Sequence, residues 1–207
     1  MYEFEQKLWA QGHTYVAGCD EVGRGPLAGP VVASAVVLDP LNPIKGLDDS
    51  KKLTEKRRNE LFQEIKQKAL GVSTVFISSD EIDEINIYQA SKKAMIKAIN
   101  TIDLEVSFVL SDAMPLGELG LPYESIIKGD AKSASIAAAS IIAKVTRDQY
   151  MVRVAEDYPV YGFEKHKGYP TKMHKEALLK HGACGIHRKT YAPVREVLFR
   201  QETLDLK

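Results

Sequence analysis

Cysteine is nearly absent from this sequence. Cys19 and Cys184 are the only two in 207 residues, too few for a disulfide framework, and reduced thiols point to the cytoplasm. Nowhere is there a run of the roughly 20 apolar residues that a membrane-spanning helix needs. Glu3, Glu5 and Lys7 interrupt the first residues, which does not fit the apolar stretch of a secretory signal. A soluble chain with no membrane partner is expected. Repeats, low-complexity tracts and flexible linkers are missing too, and 44% hydrophobic with 27% charged residues suits one compact domain over 1–207.

An excess of one charge sign is also lacking. Lys+Arg and Asp+Glu both total 28, so net charge does not mark a nucleic-acid binder. The distribution is uneven, however: residues 144–200 hold twelve cations (Lys144, Arg147, Arg153, Lys165, Lys167, Lys172, Lys175, Lys180, Arg188, Lys189, Arg195, Arg200) against six anions, and four of the five histidines lie in the same third. Such a segment suits a surface that meets a polyanion, and equally a solvated basic face.

What is present alternates between strand and helix patterns. Residues 15–19 form an apolar run ending at Asp20-Glu21, and a glycine-rich stretch, 23–29, leads to the Val-rich 30–38; this reads as strand, tight connection, strand. An amphipathic helix is predicted over 52–70, with Thr54 as a cap and Gly71 closing it. A strand over 72–77 follows, then a helix start at Ser78 with Glu81 at capping-box spacing, and a helical face of Ile87, Ala90, Ala94 and Ala98. Strands over 106–110 and 123–127 stop at Asp112 and before Gly129-Asp130. The small, apolar 137–143 belongs to a helix over 133–157 that packs closely on a sheet. Short helices over 171–181 and 193–202 complete an α/β fold: a sheet flanked by helices over about 1–158, and a helical C-terminal part over about 159–207.

Asp20, Glu21 and Asp112 each close a buried strand, and Asp130 stands at a helix entrance. Any one aspartate there is ordinarily a cap or turn former, and Asp39, Asp48, Asp49, Asp103 and Asp148 are read that way. Several carboxylates at one sheet end repel and protonate unless a cation neutralises them. An all-oxygen set without His or Cys suits Mg²⁺ or Mn²⁺, and the chemistry implied is phosphodiester hydrolysis with two ions.

The segment Gly23-Arg24-Gly25-Pro26-Leu27-Ala28-Gly29 is not a dinucleotide fingerprint, because its glycines are wrongly spaced and a strand follows. It is either a tight strand-to-strand turn or a backbone that approaches a sugar or phosphate closely beside the directional donors of arginine. His181, Cys184 and His187 supply three possible zinc ligands, but no fourth is evident, and a glycine-rich loop is the preferred reading.

The block Gly18-Cys19-Asp20-Glu21-Val22-Gly23-Arg24-Gly25-Pro26-Leu27-Ala28-Gly29-Pro30-Val31-Val32 resembles the signature of the ribonuclease HII family. Asp49-Ser50-Lys51-Lys52-Leu53, Ser111-Asp112, Lys128-Gly129-Asp130, the stretch 138–148 and His166-Lys167-Gly168-Tyr169-Pro170-Thr171 resemble further blocks in the family's order. The resemblance implies a ribonuclease H-like fold, a mixed sheet with flanking helices, and four acidic residues binding two divalent ions, by motif position Asp20, Glu21, Asp112 and Asp130. Asp148 also lies in a matching block and competes with Asp130, which its position before the buried helix favours.

It further implies that Gly23, Arg24 and Gly25 read the 2′-hydroxyl that separates RNA from DNA, that Tyr169 stacks on the neighbouring deoxyribose, and that Ser50 and Lys51 hold a substrate phosphate, with Lys144 and Lys167 near the groove. The expected activity is an endonuclease acting as a monomer on RNA/DNA hybrids and on duplex DNA holding a ribonucleotide. It would cut 5′ to the ribonucleotide, leave 3′-hydroxyl and 5′-phosphate ends, and serve to remove misincorporated ribonucleotides and residual primers. Ribonuclease HIII carries a long N-terminal domain for which a chain reaching Asp-Glu at position 20 has no room; ribonuclease HI requires several consecutive ribonucleotides. A rival of another class is a catalytically silent hybrid-binding module of the same fold.

Overall fold

Two of the apolar runs become neighbours at the centre of a sheet. In the computed structural model, which describes residues 1–117 and 119–205, β1 (Val16–Val22) pairs antiparallel with β2 (Val31–Val37). With β3 (Gly71–Ile77), β4 (Phe108–Asp112) and β5 (Tyr123–Ile126), the order among the described residues is β3-β2-β1-β4-β5. β4 runs parallel to β1 and to β5, so the sheet is mixed. β2 is buried along its whole length and β1 from Val16 to Asp20, as expected of strands covered on both faces.

The helices are α1 (Glu3–Ala10), α2 (Glu55–Lys68), α3 (Ser79–Ile85), α4 (Ile87–Asn100), α5 (Ala134–Asp157), α6 (Phe163–His166), α7 (Lys172–His181) and α8 (Ala192–Asp205). Their starts follow local chemistry. Thr54, Ser78 and Thr171 accept the N–H groups of Arg57, Glu81 and His174, satisfying donors that a first turn leaves orphaned. Helix α2 is shorter than predicted: Ala69 is its C-cap, and Gly71 opens β3 instead of closing the helix. Helices α1 and α6 carry no signal that the sequence reading used. The buried Glu5 on α1 accepts hydrogen bonds from the Ser135 N–H at 2.9 Å and from the hydroxyls of Ser133 and Ser135, so a carboxylate from one helix caps another.

The chain divides into two compact units. The first, Met1–Val22 with Val32–Phe76 and Ser91–Val145, holds nearly all of the sheet. One of its cores joins Val36 to Leu61 and Ile65 of α2 and to Ala138, Ile141 and Ile142 of α5. A Cβ on Gly18 of β1 would stand 2.1 Å from the Ser135 backbone, so strand and helix touch main chain to main chain and the strand position requires glycine. The second unit, Gly23–Val31 with Ile77–Ala90 and the chain from Thr146 on, packs around Met151, Tyr161 and Phe163, and around Leu27, Leu178, Val194 and Val197.

Candidate active site

The parallel register of β1 and β4 pairs Cys19 with Ser111; Asp20 and Asp112 are the next residue on each strand. Strand alternation therefore gives both the same face. The Asp20 carboxylate is buried, accepts the Glu21 N–H at 2.7 Å and bonds the Ser140 hydroxyl, while Ser140 also meets the Ser50 hydroxyl at 2.9 Å. Burial, then Glu21 and Asp112, push the Asp20 carboxyl well above the usual carboxylate range, although the two hydrogen bonds pull it down.

Asp112 is tied from the other side. Its Oδ1 accepts the Gly129 N–H at 2.7 Å, which brings the 3-10 turn Gly129–Ala131 against the end of β4. Lys128 enters that turn with φ 57°. Asp130 is buried, and its carboxyl is raised first by burial, then by Asp112 and Asp49, with Lys51 acting in the opposite sense.

Asp49, Lys51, Asp112, Lys128 and Asp130 line one cleft of the first unit. Burial lowers the Lys51 ammonium pKa, but Asp20, Asp49, Asp130 and Asp112 outweigh it and hold it above its ordinary value. Lys51 is the cation on which these carboxylates converge. Ser50, in contrast, is buried and bonded to Ser140.

The donors are oxygens throughout. Among the described residues no three His, Cys, Asp or Glu side chains are grouped closely enough to hold an ion by themselves. The electrostatics nevertheless fit a divalent cation: an ionised Asp20 is opposed by Glu21 and Asp112, and a bound positive ion reverses the sign of that opposition. Asp20, Glu21, Asp112 and Asp130 all lie in the first unit; Asp148 lies in the second.

The second unit contains the glycine-rich turn and Tyr169. Arg24 and Gly25 are exposed, and a Cβ on Gly25 would stand 3.9 Å from the Tyr169 ring. Beneath them are two arginines that the sequence reading counted as surface cations. Arg147 and Arg188 are both fully buried; Arg147 lies 5.8 Å from the Tyr169 ring centroid.

Behind Tyr169 is a histidine group. The Tyr169 carbonyl receives His174 Nδ1, whose Nε2 meets His187 Nε2 at 3.0 Å, and His187 Nδ1 accepts the Cys184 N–H at 2.9 Å. His166 Nδ1 accepts the Gly168 N–H, while its Nε2 faces the Tyr161 carbonyl. A carbonyl can only accept and an N–H can only donate, so one neutral tautomer is assigned to each ring. Burial is the main cause that lowers His187 to about 4 and His174 below its ordinary value.

Sequence reasoning thus missed Asp49, Arg147, Arg188 and the histidine group. Asp49 and Arg147 had a signal in lying within the family-like blocks 49–53 and 138–148, whereas Arg188 had none, and no block says whether a cation is buried.

The model of the family described as Ribonuclease HII matches residues 17–194. The chain belongs to the ribonuclease HII family. It is 53% identical over 198 residues to ribonuclease HII of Bacillus cereus (strain AH820), covering 96% of this chain and 77% of that protein. Among solved structures, ribonuclease H2 from Pyrococcus horikoshii OT3 is similar with a TM-score of 0.78 at 28% identity, over 91% of this chain and 99% of that one. Bst-RNase HIII in complex with Mn²⁺ shares the fold, with a TM-score of 0.72 at 17% identity over 91% and 70% of the two chains. The mixed sheet with its helices is accordingly a ribonuclease H-like fold. Ribonuclease HII enzymes are hydrolases acting on RNA/DNA hybrids, and this chain is one of them.

Proposed function

We propose that this chain, besides cutting the RNA strand of hybrids, incises duplex DNA on the 5′ side of an embedded ribonucleotide, leaving 3′-hydroxyl and 5′-phosphate ends. On this reading it works in the cytoplasm as a monomer, with Asp20, Glu21, Asp112 and Asp130 holding two divalent ions, Mg²⁺ or Mn²⁺. The observation that carries the reading is the register of β1 against β4, which sets Asp20 beside Asp112 and raises the Asp20 carboxyl. When bound, such ions acidify water and stabilise the charge on a departing oxygen.

The chain's own groups do the rest. The Glu21 N–H and Ser140 hydroxyl orient Asp20, and the Gly129 N–H orients Asp112. Lys51, exposed at the cleft, takes a substrate phosphate as a point charge, with Ser50 beside it. Gly23, Arg24 and Gly25 read the 2′-hydroxyl, and Tyr169 stacks on the adjoining deoxyribose.

The test is a duplex with one embedded ribonucleotide, incubated with and without Mg²⁺. Metal-dependent incision on its 5′ side is expected, and Asp20→Asn should abolish cutting while largely sparing binding. Wild-type activity in that variant would remove Asp20 from the ligand set. A requirement for several consecutive ribonucleotides, or a metal effect on affinity without nicking, would refute the proposal in favour of ribonuclease HI behaviour or a silent binding module.

A further inference from the structure

The guanidinium of Arg188 has five N–H donors, and all five are used. Nε donates to Gly29 O at 3.0 Å, Nη2 to Gly23 O at 2.6 Å and Gly29 O at 2.9 Å, and Nη1 to Arg24 O at 2.9 Å and Tyr191 Oη at 3.0 Å. Tyr191 in turn donates its hydroxyl to Arg24 O at 2.7 Å. Arg147 takes the other side of the same turn: Nε donates to Pro30 O at 2.9 Å, Nη2 to Ala28 O at 3.2 Å and Nη1 to Lys167 O at 3.0 Å. The carbonyls of Gly23, Arg24, Ala28, Gly29 and Pro30 are therefore turned onto two buried cations. Burying two like charges is costly, and a turn that needed only to reverse direction would not require it.

Peptide geometry gives the arrangement a purpose. A trans peptide holds its C=O and the following N–H on opposite sides, and the described residues contain no cis peptide bond. With the Gly23 and Arg24 carbonyls fixed on Arg188, the N–H groups of Arg24 and Gly25 must point away from it. Gly23 is glycine for the same reason: its φ is 96°, and a Cβ there would stand 2.3 Å from Arg147 Nε.

We infer that Arg188 is the positioning residue of ribonucleotide recognition, locking the peptide planes 23–24 and 24–25 so that the Arg24 and Gly25 N–H groups are presented to the 2′-hydroxyl. Tyr191 and Arg147 brace it. This rests on the role proposed above for Gly23, Arg24 and Gly25. Planarity matters more than charge, because lysine keeps the charge but offers three donors from one point and cannot span three carbonyls.

The experiment uses the full chain carrying Arg188→Lys or Tyr191→Phe, with Ile82→Ala as a control that weakens the same unit through a buried residue with no hydrogen-bonding side chain. On the one-ribonucleotide duplex with Mg²⁺, Arg188→Lys should lose about tenfold to a hundredfold in kcat with little change in KM, and Tyr191→Phe about threefold to tenfold. In both, the Arg24 and Gly25 amides should exchange with solvent faster than in the wild type. Ile82→Ala should lower the melting temperature yet keep kcat.

Wild-type kcat in both variants overturns the inference, as does a kcat loss accompanied by unchanged exchange at Arg24 and Gly25. If Arg188→Lys does not fold, Tyr191→Phe alone decides by the same two readouts. A wild-type chain that leaves the single-ribonucleotide duplex intact refutes the proposed function instead, and the exchange rates still decide whether Arg188 fixes these planes.

Discussion

Gly129 donates its N–H to Asp112 Oδ1 at 2.7 Å, across 17 residues of chain. That bond joins the end of β4 to the turn carrying Asp130, so two carboxylates from different elements share one anchor.

Adding a methyl group at that anchor should disturb both acids. A Cβ on Gly129 would meet Ile136 Cδ1 at 2.6 Å and Asp112 Oδ1 at 3.4 Å. Gly129→Ala should cost about 1–3 kcal/mol as the isoleucine shifts, and incision should fall more than affinity for the hybrid. Urea unfolding with steady-state cleavage checks this; an unchanged kcat would show that the anchor is dispensable.

Lys51 opposes the rise of the Asp130 carboxyl. Without it that carboxyl moves higher still, so less of it is ionised at any acidic pH. Lys51→Ala should therefore lose proportionally more activity at about pH 6 than at about pH 8, while Lys51→Arg keeps the wild-type profile. Parallel pH–rate curves for Lys51→Ala and wild type would contradict the coupling.

Much of this was legible in the residues. The apolar runs that stop at Asp20 and Asp112 gave both strands, and Thr54 and Ser78 marked helix starts by the side chains that cap them. Helix α1 was not, because an eight-residue segment with no side-chain cap buries only Glu5 and Leu8, a pattern that no hydrophobic period distinguishes. Asp49 does act as the turn former it was read to be, accepting the Lys51 N–H at 2.9 Å, yet it also contributes to the field on Asp130; local preference describes only the first role. Arg147 and Arg188 were counted toward a basic surface. Their burial depends on carbonyls that the chain supplies more than a hundred residues earlier.

The histidine group sets an acid limit on the second unit. His187 is held near 4, below the 6.5 of an unperturbed side chain. Its contribution is fully present above about pH 6.5 and is lost as pH falls through about 4, amounting to at most ~3 kcal/mol. Asp20, whose carboxyl is raised, acts in the opposite sense in the first unit. Amide exchange resolved by residue should show protection around 166–187 falling between pH 6.5 and 4.5; level protection there would contradict neutral rings.

Glu5→Ala removes the acceptor of the Ser135 N–H and of two serine hydroxyls. A loss of about 2–3 kcal/mol is expected for a buried, charged acceptor. Trp9 is the only tryptophan and packs beside Leu8 and Val16, so its fluorescence during urea unfolding reports the change. A variant as stable as the wild type would deny Glu5 its capping role.

The ladder that sets Val16 opposite Phe108 also governs when the protein can first work. During synthesis β1 emerges early and must wait for about ninety residues before its parallel neighbour exists, a long closure that tends to make folding slow. Until then Asp20 has no companion from β4, and a nascent or truncated chain ending short of Asp112 cannot assemble the carboxylate pair.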